Sequence, residues 1–317
     1  MKNILLLIQE ISQSSTPPAG PTGPPGAPPA FSFVDMSREL TQFVGFFLAI
    51  GAVGFRYGIV RRVRGMSNEA RTILRADNAA RLGVWGIILL LISILGIPYL
   101  QAASTNKTLT ELLPKDLAPL KFKLAALGVA LAGFLLVRAR KPTAGWLLAA
   151  LGVIMAVLQP VYTGKIAGKV NAVHILAAST WLGTLLVLSL VGIRGLIRTS
   201  EPGTQRARLV ADLVNSFSPL ALVSASVVAL TGATTAWLHL KRISALWTTS
   251  YGIALMIKLV LVLIVVLLGA WNWKKVRPSL GEEGTEETIR RSSTMELTFA
   301  ALVLIVTSVL VTLPSPK

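Results

Sequence analysis

YGIALMIKLVLVLIVVLLGAWN, residues 251–272, contains one charged side chain, Lys258. A bilayer core of ~30 Å is crossed by about 20 apolar residues of helix, so a run of this length and composition reads as a transmembrane span. Seven further runs of similar character lie at 41–60, 82–100, 119–137, 144–160, 170–193, 217–238 and 296–313. In hydrocarbon each backbone N–H and C=O must be satisfied within its own segment, which predicts an α-helix for every run. The expected fold is all-α: a polytopic membrane protein, a bundle of eight transmembrane helices. The chain divides by hydropathy into a disordered Pro-rich tail (1–40), a first four-helix half (41–160) and a second four-helix half (161–317).

Composition agrees. Hydrophobic residues make up 53% of the chain and charged residues 14%, against about 25% charged in a soluble domain. The net charge of +17 would raise nucleic acid as a partner, but its distribution argues otherwise. Eighteen of the 31 Lys and Arg residues sit in the connections after spans one, three, five and seven, among them Arg61, Arg75, Arg140, Arg198 and Lys274. Eleven are shared by the tails and the remaining connections, and Arg56 and Lys258 lie within spans. Excess Lys and Arg marks the cytoplasmic side, so both termini are expected outside. The charge is a topology signal, with attraction to anionic inner-leaflet lipid as a by-product. No nucleic-acid partner is expected.

There is no cysteine, which excludes disulfides, thiolate metal sites and cysteine nucleophiles. No P-loop, G-x-G-x-x-G, H-E-x-x-H or Ser/His/Asp arrangement is present, and no enzyme activity is expected. The start of the chain, Met1–Ile11, carries a short apolar run without an A-x-A-like cleavage site. Pro17–Ala30 reads as an extended proline-rich tail. Ser67 or Asn68 is placed to cap a short helix before span two, Thr108 or Thr110 to start one ending at Pro114. The acidic stretch Gly281–Glu287 reads as a solvated inner loop. Gly54-x-x-x-Gly58 in span one permits close helix contact.

Alternation of the spans brings both histidines to one face. Span five runs from outside to inside, which puts His174 about 6 Å below the outer boundary. Span six returns, and His239 stands at its outer end. Met155, late in span four, and Met256, early in span seven, lie at similar depth, with Gln159, Tyr162, Trp181, Trp237 and Tyr251 nearby. Imidazole and thioether are copper ligands, the thioether favouring Cu+. An ionisable residue inside a span is a functional candidate. The competing readings are interfacial rings for His239 and the tryptophans, and packing or lipid contact for the methionines. Lys258, ~10 Å into span seven, either snorkels to the outer surface or sets the field of an outer-leaflet cavity.

Val173-His174-Ile175-Leu176-Ala177 followed by Trp181-Leu182-Gly183 resembles the "VHxLA…WxG" helix of the copper resistance D (CopD/PcoD) membrane family. Phe217-Ser218-Pro219-Leu220-Ala221 through Leu230-Thr231-Gly232 is similar to the next helix of that family. Leu246-Trp247-Thr248-Thr249-Ser250-Tyr251-Gly252, with Leu255 and Lys258, resembles its "L…T.YG..L..K" segment, and Arg277-Pro278 also fits. The resemblance covers about 170–280; the first four spans agree in hydropathy and number. It implies a protein of the inner membrane that handles copper (Cu+ or Cu2+), moving it inward, with His174, Trp181, Tyr251 and Lys258 at family-pattern positions. A fused copper-binding β-domain of the CopC type and Met- or His-rich collecting runs are missing, which implies delivery by a separate periplasmic CopC-like carrier.

Three functions fit these residues. The first is copper transport, with His174 as a metal ligand and His239, Met155 or Met256 beside it. The second is a b-type cytochrome, in which the two histidines hold one haem b axially. The third is a copper-delivery assembly factor without net transport.

Overall fold

The computed structural model describes residues 32–63, 76–99, 102, 118–163, 166–199, 204–240, 242–272, 274 and 285–313. Within them the chain is helical, with no strand, and eight helices are long and apolar enough to cross a membrane. They are α1 Phe33–Val60, α2 Asn78–Tyr99, α3 Ala118–Arg138, α4 Pro142–Val161, α5 Ile166–Arg198, α6 Thr204–Leu240, α7 Ser250–Trp271 and α8 Arg291–Thr312. The protein is a multi-pass membrane protein, as hydropathy predicts. The expected caps at Ser67 or Asn68, the helix after Thr108 or Thr110 and the tail at Met1–Ile11 and Pro17–Ala30 lie outside the described residues. So does the acidic loop up to residue 284; the helix containing α8 begins at Thr285.

Several helices are longer than hydropathy alone indicates, because their ends are polar. α1 starts eight residues before position 41: the Ser32 hydroxyl accepts from the Asp35 N–H at 3.2 Å, and Asp35 stands in the first turn, where the helix dipole favours an anion. α6 begins 13 residues before position 217, with a charged first stretch containing Arg206, Arg208 and Asp212. Polar turns lower the mean hydropathy without weakening the helix, so hydropathy marks the buried segment and not the full element.

Residues 32–317 form one compact unit. α1 is its axis: it packs on α2 and α4 from the first half and on α5 and α8 from the second. α3 and α4 form a tight antiparallel pair, as do α7 and α8. The main core gathers around α1 through Phe46, Ile50, Phe55 and Ile59, which meet Leu90, Phe134, Leu188 and Leu213 from neighbouring helices.

Close approach at the axis depends on glycine. A Cβ on Gly51 would collide with the backbone of Gly183, and a Cβ on Gly183 would collide with the backbone of Phe47. α1 and α5 therefore touch backbone to backbone, the arrangement small residues permit in membranes. Gly54 and Gly58, singled out by spacing, abut Thr184 of α5 and Leu220 of α6. At this crossing α5 departs from α-helical geometry, with π-helical turns at Ser179–Gly183 and Leu188–Ile193. Such insertions are frequent at functional sites.

Gly183→Ala should destabilise the protein in detergent by about 1–3 kcal/mol, the cost of overpacking a filled interface. Gly128, on α3, has open space at its Cβ position, so Gly128→Ala is the control and should leave the unfolding midpoint unchanged. Equal behaviour of the two variants would show that the crossing does not limit stability.

Candidate functional site

One end of the bundle, where α5 starts, α6 ends and α7 starts, brings together polar side chains of the second half. α6 carries Thr231, Thr235 and His239 one turn apart on one face, the i, i+4, i+8 spacing. Each is tied to its own helix. The Thr231 hydroxyl donates to the Val227 carbonyl at 2.6 Å. The Thr235 hydroxyl donates to the Thr231 carbonyl at 2.8 Å. His239 donates from Nδ1 to the Thr235 carbonyl at 2.8 Å. A carbonyl only accepts, so His239 bears its proton on Nδ1 and keeps a free lone pair on Nε2.

His174 reaches α6 from α5. Its Nδ1 is 2.9 Å from the Thr231 hydroxyl oxygen. That hydroxyl has committed its hydrogen to Val227, so it accepts here, and His174 carries its proton on Nδ1. Nε2 is then the basic nitrogen of this ring too. Gly232 makes room for the imidazole: a Cβ at that position would stand 3.3 Å from His174 Cε1. The pair Thr231-Gly232 is thus read physically: the first residue fixes the ring and the second admits it.

α7 supplies Tyr251 and Lys258, which share one helix face with Leu255 at i, i+4 and i+7. Thr249 caps α7; its hydroxyl accepts from the Gly252 N–H at 3.0 Å and donates to the Ala245 carbonyl at 2.6 Å. A Cβ on Gly252 would run into the carbonyls of Ala245 and Leu246, so glycine lets the single turn Ala245–Thr248 fold back against the helix start. The Thr-Ser-Tyr-Gly stretch is in these terms a device for presenting Tyr251. That ring is buried and lies parallel to His239, with centroids 6.1 Å apart and planes at 15°. Ala236 and Leu240 of α6 pack against the cluster of Tyr251, Leu255 and Leu310. Lys258 lies deeper and within electrostatic reach of His174.

The two histidines therefore occupy the same end of the bundle but not one level. His174 is held at Thr231, whereas His239 is eight residues farther along α6, an axial rise of about 12 Å. His174 is also eight residues from the start of α5, deeper than the 6 Å that the shorter predicted span gave. The polar groups make a column of two tiers, Tyr251–His239 at the rim and His174–Thr231 with Lys258 below. Two histidines anchored on different turns do not present the level axial pair that a haem requires.

The methionines are not part of the column. Met155 is 43% exposed and Met256 44% exposed on the outside of α4 and α7. Met256 is rotated about 140° around its helix from Tyr251. Trp237, 79% exposed, faces outward as an interface ring. Trp181 is partly buried against the core about 10 Å below His174. Gln159 is partly buried, and the Tyr162 side chain lies outside the described residues.

Hydropathy did not reveal two further polar groups. Lys123, in α3, donates to Gln42 Oε1 at 3.1 Å and stands 5.6 Å over the Phe46 ring. At the opposite end of the second half, Asn272 donates to Glu296 Oε1, and Ser292 donates to Asn272 Oδ1. The i, i+4 spacing of Ser292 and Glu296 was the available signal, but their partner lies on another helix.

Residues 211–310 match the family model described as copper resistance protein D. The match takes in most of α6, then α7 and nearly all of α8. Thr231, His239, Tyr251, Lys258 and Glu296 lie inside it, and His174 and Trp181 precede it. The copper transport protein CutJ of Bacillus subtilis (strain 168) is 28% identical over 144 residues, 45% of this chain. That stretch is 24% of CutJ, so the chain spans about a quarter of the length of this relative. No solved structure matches. The second half is thus similar to copper resistance protein D over the stretch that holds the motifs at 217–232 and 246–258.

Thr231→Val keeps the side-chain shape and removes the hydroxyl that holds His174. The expected loss of stability is about 0.6 kcal/mol, typical of a transmembrane side-chain hydrogen bond. Nitrogen NMR of labelled histidine should show His174 losing its Nδ1–H preference; an unchanged tautomer would refute the anchoring role. Thr249→Ala should cost about 1 kcal/mol as a lost N-cap. It should also raise hydrogen exchange at residues 250–253, and unaltered protection there would count against the cap.

Proposed function

We propose that the protein carries copper across the cytoplasmic membrane, inward from the non-cytoplasmic side, with His174 as the principal ligand. The observation that carries this reading is a histidine held inside the membrane-spanning bundle through its Nδ1 by Thr231. An intramembrane imidazole is costly unless it has a task, and neutral imidazole is a copper ligand in either oxidation state. The similarity of 211–310 to copper resistance protein D and the relation to a protein named for copper transport support copper as the metal.

His239, at the rim, is the first group an arriving ion meets, and His174 lies one tier deeper. The two act in succession. Tyr251 orients His239 by stacking. Lys258, the cation beside His174, lowers the residence time of a bound cation and favours its onward movement. Met155 and Met256, outward-facing, contribute no ligand in this scheme. The inner-membrane location and the outward termini rest on the basic connections after α1, α3, α5 and α7. The scarcity of His and Met in the sequence, two and six residues, favours delivery of copper by a separate CopC-like carrier.

Purified protein in liposomes should accumulate copper, and His174→Ala should reduce the initial rate at least tenfold. His239→Ala should slow capture at low copper and recover at high copper. Binding without accumulation in the wild type would reject transport in favour of copper delivery, and full activity of His174→Ala would remove His174 from the path.

A further inference from the structure

A cavity of about 640 Å³ opens between α5, α6, α7 and α8, on the side of the bundle that bears the basic connections. On α6 it extends from Val214 to Ala225, so its upper end is one turn below Val228, beside which His174 lies. Trp181 is among the residues that line the cavity. The walls are apolar over most of their length, while the lower end is polar: Asn272, Ser292, Ser293, Glu296 and Lys274.

Glu296 is the unusual member. It lies five residues inside α8, is 8% exposed, and receives a hydrogen bond from Asn272, which is held in turn by Ser292. Asn272 follows directly on α7 and caps its last turn. The triad is therefore fixed by the α7–α8 hairpin. A carboxylate at membrane depth is expensive and marks a functional position. Lys274 is the charged group that shares the cavity with it, and no ion pair joins them among the described residues. From α1, α5 and α6, the other helices on α8, no charged side chain lines the cavity.

Charge and donor set decide what such a site takes. One carboxylate neutralises one positive charge, and a divalent ion against apolar walls would leave a second charge uncompensated. Bare metal cations of the hard class need about six oxygens in a shell; the triad and Ser293 offer fewer. A proton needs only one lone pair.

We propose that Glu296 is a proton-binding site at the inner end of this cavity. Asn272 occupies Oε1, and the proton adds to the other carboxyl oxygen, taken from water on the basic side and returned to water when a cation enters the cavity. The carboxyl O–H forms as one O–H of a hydronium ion breaks, and the return step reverses this exchange, with no change of oxidation state. That the displacing cation is copper rests on the function proposed above; the proton site itself does not.

Two measurements test this. Infrared difference spectra of the full-length protein between acidic and alkaline pH should contain a carboxylic-acid carbonyl band that vanishes in Glu296→Gln and shifts in Ser292→Ala. An identical spectrum in Glu296→Gln overturns the assignment. Should that variant not fold, Ser292→Ala decides: a shifted band supports the site and an unmoved band overturns it. In liposomes loaded with a pH-sensitive dye, copper should release protons through the wild type and not through Glu296→Gln, with copper binding retained. Proton release unchanged in Glu296→Gln overturns coupling through this residue. Failure of the wild type to accumulate copper strikes the transport reading, while the infrared result still decides the proton site.

Discussion

The crossing of α1 and α5 at Gly51 and Gly183 sets the geometry of the bundle. Lipid offers no hydrophobic gain for pressing two helices together, so contact must come from packing and hydrogen bonds. Two glycines facing each other bring the backbones within van der Waals range, and a side chain at either position would be blocked by main chain rather than by a movable group. α5 cannot slide or rotate at this point. Its π-helical turn Ser179–Gly183 ends at the contact and rotates what precedes it. His174 and Trp181 thereby face α6 and the space between α6 and α8. The axial position of α1 has the same cause, since its small residues allow α2, α4, α5 and α8 to pack around it.

Given that frame, the polar groups of α6 follow a simple rule. Ser218, Ser226, Thr231, Thr234 and Thr235 each donate to the carbonyl one turn back. A helix with many hydroxyls thus stays stable in hydrocarbon, because each buried donor is satisfied within the helix. The hydroxyl hydrogen is used, but the oxygen can still accept. Thr231 shows the consequence: with its hydrogen turned toward Val227, it accepts from His174 and so selects the tautomer. A threonine bonded to its own backbone acts on the chemistry of a neighbouring helix.

The number and type of helices were legible because length and apolarity are local properties, read directly from runs such as 251–272. The two histidines were also placed correctly at one end, since alternation of spans is a topological necessity. Their relative depth was not, because it depends on where α5 and α6 start, and both begin with residues too polar to register as membrane-spanning. Met155 and Met256 were drawn into the site by depth alone; depth without azimuth does not distinguish a helix face toward a neighbour from one toward lipid. Azimuth was available for α7, where Tyr251, Leu255 and Lys258 share a face and Met256 does not. Glu296 was visible at the start of span eight, but its grouping with Asn272 and Ser292 was not, because only the α7–α8 hairpin makes them one group.

The two polar ends of the second half differ in chemistry. One end presents imidazole nitrogens, a donor class that suits a borderline or soft metal. The other presents a single carboxylate, an amide and hydroxyls. The cavity above that second end has largely apolar walls. The same walls keep the dielectric low around Glu296, which strengthens its interaction with any positive charge that arrives. Both polar ends belong to one helix set, with α5 and α6 carrying the first and the α7–α8 hairpin the second. Trp181 lines the cavity from α5, the helix fixed at Gly183.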